Sequence, residues 1–156
     1  MSDQYSASLV SLVTRYFDDH NYRYQFDREK GVLTAQFNIE NKFKGYTQII
    51  TFDKLTYTVF SFLKEKTEER WRSEVVEFLT RANYGLKFGC FGMDLSDGEI
   101  YIKASVDCDN RIPSNAVLQT SLDIGDKLLL DYGNALWSVM RGLASPEDAC
   151  SAAENR

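Results

Sequence analysis

The sequence holds a single histidine, His20, among 156 residues. That excludes a His-rich metal site and weakens every mechanism built on an imidazole. A basic excess is also missing. Eighteen Lys and Arg stand against 23 Asp and Glu, for a net charge of −5 and a pI near 4.9. Binders of nucleic acid and of anionic membranes need a basic footprint, so neither class is expected. No stretch approaches the roughly 18 apolar residues of a membrane span. The longest aliphatic run is Leu128-Leu129-Leu130. The opening residues Met1 to Ser6 have no basic n-region and no apolar h-region, so no secretory signal is read there. The cysteines are Cys90, Cys108 and Cys150, an odd number without Cys-x-x-Cys spacing. Neither a zinc site nor a disulfide framework is expected, and cytoplasmic residence with reduced thiols is the simplest reading.

Aromatic residues are abundant: ten Phe, nine Tyr and two Trp. Disordered chains are poor in such residues, so a packed core is expected. The length suits one domain, read here as 1–156, with 145–156 a marginal terminal helix or tail.

Hydrophobic period divides the chain. Tyr5, Leu9, Leu12, Val13, Tyr16 and Phe17 recur at helical steps within 3–19. From Tyr22 the period drops to two. Strands are expected at 22–26, 33–39, 46–52 and 56–63, without helices between them, which implies an antiparallel meander. Thr67 reads as the N-cap of a second helix bearing Trp71, Val75, Phe78, Leu79 and Ala82. Strands at 86–95 and 99–106 follow, joined by Ser96-Asp97-Gly98, a strong hairpin signal. A long helix is then expected over about 115–143, roughly 40 Å in length. Its apolar seam runs through Leu118, Leu122, Gly125, Leu129, Tyr132, Leu136, Val139 and Leu143 at heptad-like spacing. Ser145-Pro146-Glu147-Asp148 starts the terminal helix. The order α-β-β-β-β-α-β-β-α describes an α+β domain: an antiparallel sheet with helices on one face.

Catalytic signals are weak. His20, beside Asp18 and Asp19 at a helix end, is read as a structural residue. No Ser or Cys has a nameable triad partner. Asp94, Asp97, Glu99, Asp107 and Asp109 crowd one hairpin but lack the spacing of a calcium loop, so a solvated tip is expected. Lys44-Gly45-Tyr46 begins like an RNA-recognition strand, yet Thr47 and Gln48 break the pattern. Gly89-Cys90-Phe91-Gly92 precedes no helix, so it marks a bulge or a close approach rather than a phosphate cradle. The mixed charges of Lys64–Arg72 suit a solvated helix start. Off the helical seam, Leu128, Leu130, Trp137 and Met140 widen the apolar arc, which suits a partner, a second copy of the chain included.

Residues 70–150 resemble the YbjN domain, a bacterial family of proposed sensory-transduction regulators. The resemblance is carried by Phe78-Leu79, Arg81-Ala82-Asn83, Phe88-Gly89, Phe91, Met93-Asp94-Leu95 and Asp97-Gly98-Glu99-Ile100-Tyr101. It continues in Asp131-Tyr132, Leu136, Val139, Gly142 and Ser145-Pro146-Glu147. The family's fold is similar to that of type III secretion chaperones, which are small, acidic and often dimeric. The resemblance carries over no catalytic residue, and neither a metal nor a cofactor is expected.

These observations favour a non-enzymatic module, a regulator or chaperone-like protein that binds another polypeptide. The exposed part of the sheet or the outer face of the last helix would carry the contact, with Phe43, Tyr46, Tyr132 and Trp137 as candidates. The alternative is a small-ligand or enzymatic domain with a pocket between sheet and helix. A thiol sensor is a third reading, with Cys150 exposed and Cys90 and Cys108 buried.

Overall fold

Alternation of apolar and polar residues over four central strands places one face of a sheet in the core. In the computed structural model, which describes residues 4–155, six strands form one antiparallel sheet. They are β1 (Gln25–Asp27), β2 (Val32–Asn38), β3 (Gly45–Phe52), β4 (Thr56–Phe62), β5 (Cys90–Met93) and β6 (Ile100–Asp107), in the order β1-β2-β3-β4-β6-β5. The expected strand at 22–26 is shorter and begins later, and β1 joins the main sheet beside β2. The Ser96-Asp97-Gly98 turn joins β5 and β6 as expected, with Gly98 at φ 80°.

Five helices lie against this sheet or on one another: α1 (Ala7–Asp19), α2 (Arg72–Tyr84), α3 (Asn115–Leu122), α4 (Ile124–Val139) and α5 (Pro146–Glu154). The expected first helix was to begin at Asp3, which lies outside the described residues. Within them α1 begins at Ala7, because Ser6 takes an extended backbone and its hydroxyl accepts the Leu9 N–H.

The register fixes which strand residues face the helices. Tyr46, Gln48, Ile50 and Phe52 of β3 are buried, as are Tyr57, Val59 and Ser61 of β4 and Ile100 and Ile102 of β6. Under one half of the sheet, Leu9, Val13 and Phe17 of α1 meet Leu33, Ile50 and Val59, with Leu118 and Leu122 of α3. Under the other, Val75, Phe78 and Leu79 of α2 and Leu129, Leu136 and Val139 of α4 meet Tyr46, Phe91 and Ile102. The terminal helix is docked rather than marginal. Ala149, Cys150 and Ala153 are buried among residues of α2 and α4, supplying the tertiary packing that a nine-residue helix lacks on its own.

Two expected elements differ in instructive ways. Thr67 does not cap α2. Its N–H donates to the Gly98 carbonyl, which holds it against the β5–β6 turn, and a 3-10 turn (Glu69–Trp71) leads into α2 at Arg72. The long helix expected over 115–143 is two helices. The last bond of α3 runs from the Asp123 N–H to Gln119, and the first of α4 from the Lys127 N–H to Asp123. The Leu122 carbonyl between them turns to the sheet, where Gln48 Nε2 donates to it at 2.9 Å. Ser121 Oγ pairs with the Tyr57 hydroxyl at 2.7 Å. Gly125 then seats α4 directly on Ser61, where any Cβ would strike the Ser61 side chain. Buried polar groups on β3 and β4 thus meet the chain where the helix breaks. At the far end Gly142, at φ 65°, closes α4: its N–H donates to the Val139 carbonyl and that of Leu143 to Ser138.

Replacing Gln48 by Leu keeps the volume but leaves the Leu122 carbonyl buried without its donor. Urea unfolding should report a loss of about 1–3 kcal/mol, the penalty of an unsatisfied buried acceptor. No loss would mean that the helix break does not depend on this bond.

Candidate binding groove

Strand β5 is shorter than the expected 86–95, and the shortfall shapes the surface. Gly89 has φ 70°, a conformation that favours glycine, and turns the chain away from the sheet. Its Cα also packs close to Ile124: a Cβ there would lie 2.8 Å from Ile124 Cγ1. Residues Leu86–Phe88 thus leave the sheet and run beside α3 and α4. Asn83, near the end of α2, holds β5 from outside. Its Nδ2 donates to the Phe91 carbonyl at 2.9 Å and its Oδ1 accepts the Phe91 N–H at 2.7 Å.

Beyond the start of β5, strand β6 continues alone on that side from Ala104 to Asp107. Facing it, α3 presents Ala116, Val117 and Thr120. Between them lies a hollow of about 640 Å³, lined largely by apolar groups including Ala104, Val106, Val117 and Ile124. A second hollow of about 620 Å³ adjoins it, between Leu86–Phe88 and the α3–α4 junction. The two share Phe88, Thr120 and Ile124. Phe88 stands between them 65% exposed, and Val117 is 43% exposed. An exposed aromatic and an exposed aliphatic at the rim of an apolar hollow are features of an interaction surface. Charged groups sit at the ends and the outer rim. Lys103 and Asp107 lie on β6, and Lys127 pairs with Asp131 across one turn of α4 at 3.1 Å. Burial raises the Asp123 carboxyl above its ordinary value.

The candidates from sequence fall elsewhere. Tyr46 is 1% exposed, its ring stacked on Phe37 and its hydroxyl donating to Asp126 Oδ1 at 2.7 Å. Burial pushes its phenol well above the ordinary value. Tyr132 is also buried, edge-on to Phe78 and Phe91, with its hydroxyl on Glu154 and a phenol pushed up to about 12. It closes the floor of the second hollow. Both are chiefly core residues, because their positions on β3 and on the α4 seam face inward. Phe43 and Trp137 are half-buried, on the opposite side of α4 from the groove. Trp137 lies under Arg141 at 3.9 Å and Lys42 at 5.2 Å. Phe88 and Val117 were missed. The sequence pattern places Phe88 in a strand, and Val117 is an apolar residue one place off the seam, which is the available signal.

The sheet's outer face carries a smaller aromatic patch. Phe60 stacks on Phe62, Tyr101 meets both, and Lys103 lies over Phe60 at 5.7 Å. These rings cover one another and are half-buried.

Two of the three cysteines exchange their expected places, and Cys108 is buried as expected. Cys90 is exposed at the groove, while Cys108 and Cys150 are buried. Cys150 was expected at the surface of a loose tail, but α5 is docked. Burial and the neighbouring Glu154 carboxylate push its thiol up to about 11, and burial raises that of Cys108. A native protein titrated with a disulfide reagent near neutral pH should show one fast thiol, absent from Cys90→Ser. Fast reaction persisting in Cys90→Ser would contradict this placement.

Among the described residues no group of His, Cys, Asp and Glu could hold a metal ion, and no helix is long and apolar enough to cross a membrane. Residues 10–137 match the YbjN family, described as "Putative bacterial sensory transduction regulator". No curated protein sequence matches the chain. Among solved structures, the crystal structure of YbjN, "a putative transcription regulator from E. coli", superimposes with a TM-score of 0.51 and 11% identity. The match covers 92% of this chain and 87% of that one, and at this identity it speaks to the fold alone. The sequence match over most of the chain carries the assignment: this chain belongs to the YbjN family.

Proposed function

We propose that this chain is a cytoplasmic regulator that acts without catalysis, by holding a segment of another polypeptide in the groove between β6, Leu86–Phe88 and α3. The observation that carries the reading is the groove itself: an apolar floor, rimmed by Phe88 and Val117, beside the end of β6, which among the described residues has a neighbouring strand only on its β4 side. A small-molecule enzyme would gather convergent polar groups in an enclosed pocket. Here the hollows are open and mainly apolar. The lining carboxylates do not converge: Asp107 ends β6, Asp123 accepts from the Tyr16 hydroxyl at the α3–α4 junction, and Asp131 pairs with Lys127. The family description as a regulator agrees with a binding role.

Energetic expectations follow from area. Covering one exposed Phe and one exposed Val contributes about 1.5–3 kcal/mol each at most, before ordering costs are subtracted. That supports modest affinity and reversible exchange, as regulation requires.

The test places a photo-crosslinking amino acid at position 88 of the full chain and captures partners from the native host's extract. The reading expects one dominant crosslinked polypeptide, lost in Val117→Arg although that variant keeps its circular dichroism spectrum. Crosslinks to many proteins, or capture unchanged by Val117→Arg, would overturn it. A crosslink only to a second copy of this chain would make the groove a dimer interface instead.

A further inference from the structure

The reading of the groove as a polypeptide site leaves open the conformation and sequence of what it takes. Main-chain geometry at its edge answers both. On one side of β6, the Leu63 N–H donates to the Ile100 carbonyl and the Cys108 N–H to Leu55. On the other, the Asp94 N–H donates to Glu99. Antiparallel strands alternate hydrogen-bonding direction residue by residue. Even-numbered residues of β6 therefore turn their N–H and C=O to β4, and odd-numbered residues turn theirs to β5. Strand β5 reaches only as far as Cys90 opposite Lys103. The main-chain groups of Ser105 and Asp107 point past its end, into the groove, and both residues are exposed.

Elsewhere this sheet blunts its edge here: Asn83 occupies both main-chain groups of Phe91 on the outer side of β5. Among the described residues the Ser105–Asp107 edge has no such plug. An unpaired edge of this kind is a template for another strand.

We propose that the groove takes its partner as an extended strand, added to β6 in line with β5 and antiparallel to β6. The incoming chain would exchange hydrogen bonds with Ser105 and Asp107. The pleat then assigns its side chains. The residue opposite Val106 points to the helix side, among Val117, Ile124 and Phe88, and is apolar, whereas the place opposite Ala104 is held by Gly89 of this chain. The residue opposite Ser105 lies on the outer face and is unrestricted. The first residue lies opposite Asp107, whose carboxylate, like that of the nearby Asp109, has no ion-pair partner among the described residues. On a chain of net charge −5, that position calls for Lys or Arg. The recognised segment reads basic, apolar, any, and ends where Gly89 begins.

The proposal rests on the polypeptide-binding reading, and its test separates the two. A displayed library of random decapeptides is selected on the full chain. Recovered peptides are synthesised, and their affinities are read by fluorescence polarisation. The basic-apolar-any spacing should dominate. Ser105→Pro removes the outward N–H without touching the β4 ladder, and should weaken binding about tenfold or more, whereas Ser105→Ala, with its main chain intact, should stay within about twofold. Should Ser105→Pro fail to fold, N-methylation of the peptide at the residue opposite Ser105 removes that residue's own N–H, and should weaken binding in the same way. Recovery of helical i, i+3, i+4 patterns, affinity indifferent to Ser105→Pro and to N-methylation, or no recovered binder would overturn strand addition. If the position-88 crosslink nonetheless captures a Val117-dependent partner, polypeptide binding stands and only the strand mode is lost.

Discussion

The contact between the α3–α4 junction and the buried polar residues of β3 and β4 organises much of the surface. Gln48, Tyr57 and Ser61 lie on the buried face of β3 and β4, where apolar residues would ordinarily stand. Gln48 takes the Leu122 carbonyl and Tyr57 takes Ser121. Ser61 is small enough to let Gly125 approach, and its hydroxyl has no hydrogen-bond partner among the described residues. That unsatisfied group is a local cost, and the close helix approach offsets it. An unbroken helix would have kept its carbonyls for its own ladder. By breaking at Asp123, the chain sets α3 beside the free end of β6 while α4 runs on under the sheet.

The groove follows from this and from one glycine. Gly89 turns the chain out of the sheet at the position where β5 would have continued along β6. The edge it leaves bare is the one that α3 overlooks. Two independent local choices, a broken helix and a shortened strand, thus open the same site. It offers apolar surface and main-chain groups of Ser105 and Asp107 turned away from β4. The exposed thiol of Cys90 lies where β5 begins, so any occupant in line with β5 would abut it.

Much of the architecture was legible because it depends on period. Strand alternation from Val32 to Leu63 and the Asp97-Gly98 turn fixed the meander and the second hairpin. Leu118, Leu122, Leu129, Leu136 and Val139 were all placed inward by the seam. The helix break was not legible, because Gln48 lies 74 positions from the carbonyl it binds. The end of β5 was not, because Gly89 in a strand-like run signals a close approach without saying which element approaches. The site residues suffered most. Tyr46 and Tyr132 are aromatic and amphipathic, which suits both interfaces and cores, and only register separates the two. Phe88 and Val117 are ordinary in sequence, and they gain meaning only from the turn at Gly89 and the break at Asp123.

Residue-resolved amide hydrogen exchange along β6 tests the account most directly, since it needs no partner. If the edge beyond Cys90 is bare, the amides of Ser105 and Asp107 exchange quickly, while those of Ile102, Ala104 and Val106, turned to β4, are protected. Uniform protection from Ile102 to Asp107 would contradict it, because the edge would then be covered already.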